Sequence, residues 1–226
     1  MADDLTPSMY FGQFEESDHY KRRLHAIRVF RPVARELLCA LVKKSSITDV
    51  DLDGLIQLLR FRKPALESVA SKEQMRAAVA KYVPAISSDS TISDRLKGLS
   101  TFGYTGVGKA SVNVLTPEEC KSVLDLLKGA FEVATVAHAK TLVDRYDAAH
   151  VPAVTKGIYS PWLHYINTAL FPIVTKKSER FFPKNKSYSE IIDLGQTLLN
   201  IYGQQDLGII DAFAAWHWDR DEKQGT

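Results

Sequence analysis

A chain of 226 residues, 45% hydrophobic and 25% charged, has the composition of an ordinary folded protein with a sizeable core, as one large domain or two small ones. Two cysteines, Cys39 and Cys120, are too few for a secreted disulfide framework and sit in apolar helical contexts as reduced core residues. No apolar run approaches the roughly 20 residues of a membrane span, and MADDLTPSMYFG lacks the pattern of a signal peptide, so the cytoplasm is the expected location.

Net charge is only +2, but it is unevenly placed. Residues 1–20 carry Asp3, Asp4, Glu15, Glu16 and Asp18 and no Lys or Arg, whereas residues 21–35 carry Lys21, Arg22, Arg23, Arg28, Arg31 and Arg35 and no acid. Over residues 18–44, Leu24, Ile27, Phe30, Ala34, Leu37, Leu38 and Leu41 recur at three and four, which predicts a helix with one buried stripe. Pro32 either kinks it or starts a second helix. On a helical wheel Lys21, Arg28, Arg31 and Arg35 fall within about 80° of one another, away from that stripe. Such a basic face suits a phosphate backbone, or it pairs with the acidic N-terminal arm.

Helices are expected next over residues 49–60, after the capping box Ser71-Lys72-Glu73-Gln74, and over 90–99. PAISSDS at 84–90 is a soft seam. It divides an N-terminal helical layer, residues 1–86, from residues 87–226, unless the two form one continuous domain.

The loop GYTGVGKAS at 103–111 admits three readings. As a P-loop it fails at Ala110, where a hydroxyl should ligate Mg²⁺, and it follows a helix-like stretch instead of a buried strand, so nucleotide binding is the weakest reading. As a helix-hairpin-helix turn, Gly106, Val107 and Gly108 let backbone N–H groups approach a DNA phosphate and Lys109 adds a charge. As a plain connection, the glycines only cap helices. The last two stay open.

Thr116-Pro117-Glu118-Glu119 is a capping box with proline at the first helical position, opening a helix expected to run through Leu127. Ser187-Tyr188-Ser189-Glu190 repeats the box before IIDLGQTLLNIY. Further helices are expected over 132–148, 160–168 and 205–218, and alternating strand patterns are nearly absent. The chain therefore reads as all-α. Lys140 and Asp144 read as an i,i+4 pair on a solvated face. The six histidines, His19, His25, His138, His150, His164 and His217, show no metal-ligand spacing. Neither a metal nor a cofactor is expected.

Within KGIYSPWLHYINTALFPIVTKKSERFF, residues 156–182, Leu163, Ile166, Leu170 and Phe171 form an apolar face. Phe171-Pro172-Ile173 breaks the helix, and Lys176, Lys177 and Arg180 follow at spacings that suit one exposed face of a new helix. Cations at a helix start oppose its dipole, an arrangement that suits a bound anion there or a solvated surface. Trp162, Trp216 and Trp218 suit either core packing or stacking on a flipped base.

This stretch resembles the helix-hairpin-helix DNA-glycosylase-like domains of bacterial modification-dependent restriction and anti-phage proteins, in which a small-residue helix leads to an N-P-x-h-F-P-I-h-[DN] step. Here that step is Asn167-Thr168-Ala169-Leu170-Phe171-Pro172-Ile173-Val174-Thr175. The closing helices, YSEIIDLGQTLLNIYGQQDLGIIDAFAAW with Asp211, Phe213 and Trp216, are also similar, so the likeness covers residues 151–218. Three positions depart: Thr168 replaces proline, Ala153-Val154-Thr155 stands where hairpin glycines are expected, and Thr175 occupies the position of the family's catalytic Asp.

The resemblance implies a compact multi-helix domain of helix-hairpin-helix type that binds duplex DNA, sensing its structure or a modified base for a defence-system partner. With Thr175 in place of the carboxylate it implies binding without catalysis, and no catalytic residue is assigned. The DNA contacts it favours are Gly106, Gly108, Lys109, Lys176, Lys177, Arg180, Lys21, Arg28 and Arg35, with Trp162 and Tyr165 as base-stacking candidates. An active glycosylase or lyase, and a protein-interaction or regulatory module, are the alternatives.

Overall fold

A computed structural model describes residues 7–49, 51, 52, 55 and 115–224. Among these residues the chain is all-α, with seven helices of ten residues or more and no strand. They are α1 (Pro7–Glu16), α2 (Asp18–Val42), α3 (Pro117–Glu132), α4 (Val136–Ala148), α5 (Lys156–Ile166), α6 (Tyr188–Tyr202) and α7 (Leu207–Gln224). No described helix is long and apolar enough to cross a membrane. The stretch holding the Ser71 box, the seam between residues 86 and 87, and the glycine loop lies outside the described residues.

Local chemistry sets the helix starts. Ser17 caps α2 by accepting from the Tyr20 amide at 3.2 Å. Both capping boxes form: Thr116 accepts from the Glu119 amide while Glu119 accepts from the Thr116 amide, and Ser187 and Glu190 exchange the same two bonds. Each box satisfies two of the amides that a helix start leaves without partners. α3 runs past Leu127 to Glu132 because Ala130 and Phe131 continue its apolar stripe. α4 begins at Val136, later than the expected 132, because Thr135 caps it through the His138 amide. α6 ends at Gly203, whose φ of 62° is a left-handed cap that a side chain would strain.

α2 is one helix, with Pro32 at an exposed position inside it. It crosses α5 and α7, and α6 packs on α4. α5 covers Lys156–Ile166, not 160–168, and every residue from Ile158 to Ile166 is buried, so it is the centre of the bundle. Phe14 of α1, Leu38 of α2, Leu127 of α3, Trp162 of α5 and Phe213 of α7 share one core. The N-terminal helices thus fold onto the C-terminal ones.

The expected helix after Phe171-Pro172-Ile173 is absent. Residues 171–175 run without regular structure and residues 177–181 form a turn. Ser178, fully buried, donates to the Ile173 carbonyl and accepts from the Thr175 amide at 2.8 Å, and the Phe181 and Phe182 amides close on its carbonyl. These side-chain bonds satisfy the backbone locally and compete with helix formation. Tyr188 of α6 fixes the run by donating to the Pro172 carbonyl at 2.6 Å.

Candidate nucleic-acid interface

The arginines of α2 divide into two sets. Arg23 and Arg31 turn inward to α7: Arg23 donates to Asp211 at 3.1 Å, and Arg31 grips Asp206 with both terminal nitrogens at 2.5 and 3.0 Å. Lys21, Arg22, Arg28 and Arg35 stay exposed. Arg35 is nonetheless anchored, with its Nε at 3.5 Å from the Ile166 carbonyl and its guanidinium 5.5 Å from the centre of the Phe131 ring. Arg23 thus meets α7 itself, and Arg31 meets the residue just before its first turn.

The Arg31 pairing sits in a crowded corner. Asp206 also accepts from the Gly208 amide at 2.8 Å and so caps α7. A Cβ on Gly208 would lie 2.8 Å from Arg31 Nη2, 2.9 Å from His164 Nε2 and 3.0 Å from Asp206 Oδ1. A side chain at this position would require one or more of these groups to shift. His164 is buried and donates from Nδ1 to the Phe171 carbonyl at 2.9 Å; burial, then the Arg31 charge, lowers its pKa to about 4, so the ring is neutral. Asp211 is 1% exposed, and burial raises its pKa to about 7 against the opposing pull of Arg23.

The turn at 176–180 docks on the far end of α7. Lys176 Nζ lies 5.7 Å from the centre of the Trp218 ring, Lys177 pairs with Asp219 at 2.5 Å, and Arg180 approaches His217 Nδ1 at 3.3 Å. The first half of α2 comes to the same place. Burial is the main cause that lowers the pKa of His19, and the charges acting on it are those of Arg23, Asp219, Arg22 and Lys177. Arg22, Arg23, Lys177 and Asp219 thus all act on His19, and Lys176 and Arg180 belong to the same turn as Lys177. Lys176, Lys177, Arg180 and Arg22 are all exposed.

The structure places Lys176, Lys177 and Arg180 in one turn and not on a helix face, and Arg22, which sequence reasoning left out of the site, acts with Lys177 on His19. Gly106, Gly108 and Lys109 lie outside the described residues. Trp162 and Tyr165 are core residues, 1% and 6% exposed, so neither offers a face to a base in this conformation. Trp162 was open to burial by its place in α5, where no polar face exists. Thr175 is also buried, its hydroxyl 3.1 Å from Ser178, and serves the turn.

Lys140 does not face Asp144 as its main partner; it crosses to Asp193 of α6 at 2.5 Å. The two helices leave an open groove of about 550 Å³ lined by Val136, Thr141, Asp144 and Asp193, whose lysine is already neutralised. Among the described residues no group of three or more His, Cys, Asp or Glu could hold a metal ion. Cys39 and Cys120 are free thiols. No family model matches the chain, and no match was found to a curated protein or to a solved structure.

Proposed function

We propose that this chain is a nucleic-acid-binding module of helix-hairpin-helix, glycosylase-like type. It holds the phosphate backbone of DNA for a restriction or defence partner and performs no catalysis of its own. The observation that carries the reading is the exposed turn of Lys176, Lys177 and Arg180 docked on Trp218, Asp219 and His217 of α7, with the exposed Arg22 of α2 acting on His19 together with Lys177. Several cations close together raise the local potential, and when they neutralise phosphates they release the counterions condensed on the DNA, which is favourable. Thr175 supplies no carboxylate and is tied to Ser178, which favours binding over base excision.

Fluorescence anisotropy with a blunt DNA duplex tests this. Affinity is expected to fall steeply between low and moderate salt, and K176E/K177E/R180E to reduce the log–log salt slope by about 0.9 for each phosphate contact removed. Absence of binding at low salt would sink the proposal, and abasic-site formation on modified duplexes would replace it with the glycosylase reading.

The protein-interaction reading keeps one observation of its own. Arg23 and Arg31 spend their charge on α7, so α2 acts partly as an internal strut. Charge reversal at Lys21, Arg28 and Arg35 that spares DNA binding but breaks assembly with a partner would assign the outer face of α2 to that role.

A further inference from the structure

The geometry points to Trp218 as a stacking platform for an unpaired base, with Lys176, Lys177 and Arg180 holding the phosphates beside it; the inference rests on the nucleic-acid reading and names its substrate as single-stranded or locally unpaired DNA. The three tryptophans have different surroundings. Trp162 is sealed inside α5. Trp216 and Trp218 are two residues apart on α7 and so point about 200° apart around the helix. Trp216 faces α1, packing on Phe14 at 5.7 Å and Phe213 at 6.0 Å beneath the Arg220 guanidinium at 4.6 Å.

Trp218 faces the other way. It is only partly buried, it lies one heptad beyond Asp211 on the stripe that meets Arg23, and its ring carries the Lys176 ammonium at 5.7 Å. Its chain neighbours hold the other two cations of the turn, His217 holding Arg180 and Asp219 holding Lys177. An aromatic face with one cation on it and two more beside its chain neighbours suits a single strand bound without sequence preference, the base on the ring and the backbone on the charges. An ammonium resting on a partly exposed ring is a weak contact. A phosphate draws Lys176 away and leaves the ring face to a base. A blunt duplex keeps its bases stacked internally, so it reaches the cations but not Trp218.

The test compares a fluorescein-labelled twelve-residue oligo-dT strand with a blunt duplex of equal length. Trp218→Leu, which keeps apolar bulk without a ring, is expected to weaken oligo-dT binding about 10-fold and duplex binding no more than about twofold, while Trp218→Phe retains most of both. K176E/K177E/R180E is expected to weaken both ligands. Oligo-dT is expected to quench the tryptophan emission of the parent protein, and to lose that effect in W218F. If W218L binds both ligands as the parent does while the triple variant loses both, stacking is refuted and the nucleic-acid reading stands. If W218L weakens both ligands equally, or W218F behaves like W218L, the ring is not the platform and the inference falls. If the parent protein binds neither ligand at low salt, both readings fall together.

Discussion

Two buried titratable groups with displaced pKa values, Asp211 and His164, make opposite contributions to the pH dependence of stability. Asp211 is raised from 3.8 to about 7, so the native state holds its proton more tightly than the unfolded chain. Its contribution is fully present below pH 3.8 and is lost as pH rises to 7, a change of about 4 kcal/mol at 1.36 kcal/mol for each unit. His164 is lowered from 6.5 to about 4, so the unfolded chain is the one that takes up the proton. Its contribution is present above pH 6.5 and is lost as pH falls to 4, about 3 kcal/mol. Between pH 4 and 6.5 the two slopes oppose each other and the parent protein should be nearly flat, as far as these groups decide it. Asp211→Asn removes one slope. The Arg23 side chain is 28% exposed and reaches water once Asp211 loses its charge, so the variant should fold. Urea unfolding at fixed ionic strength is then expected to give a stability that climbs by about 3 kcal/mol from pH 4 to 6.5, whereas His164→Gln should decline by about 4 kcal/mol from pH 4 to 7. A D211N profile parallel to that of the parent would refute the assignment, since it would mean that Asp211 titrates alike in the folded and unfolded states.

Gly208→Ala is expected to cost about 1–3 kcal/mol in urea unfolding, because its Cβ would press on Arg31, His164 and Asp206 at 3.0 Å or less. An unchanged midpoint would show that the corner has room. Ser187→Ala removes the acceptor of the Glu190 amide and should cost about 1 kcal/mol, measured the same way, with amide exchange rising first at the start of α6.

How much of this was legible in the sequence depends on the range of the interactions. The boxes at Thr116 and Ser187 span three residues, so their partners are on the page together, and both helices start where the pattern puts them. The ends were less legible because they answer to packing: α3 continues while Ala130 and Phe131 still find the core, and α7 continues to Gln224 while its far end supports the 176–180 turn. That turn misled for a specific reason. Lys176, Lys177 and Arg180 have helical spacing, but Ser178 has a buried hydroxyl between them that bonds back to the backbone of Ile173 and Thr175, and periodicity does not register such a competitor.

The basic face of α2 shows the same limit in electrostatic form. The wheel angle places Arg31 in one arc with Lys21, Arg28 and Arg35, yet Asp206 lies 175 residues away in sequence, and only the folded chain sets them together. With Arg31 held by Asp206 and Arg23 turned inward to Asp211, the exposed cations of the helix are Lys21, Arg22, Arg28 and Arg35. Beyond about 10 Å, salt at 0.1 M screens the rest. A ligand arriving at this protein therefore meets neither a net charge of +2 nor the sum of a helical face. It meets the exposed cations, Lys21, Arg22, Arg28 and Arg35 along α2 and Lys176, Lys177 and Arg180 in the turn beside the last turns of α7.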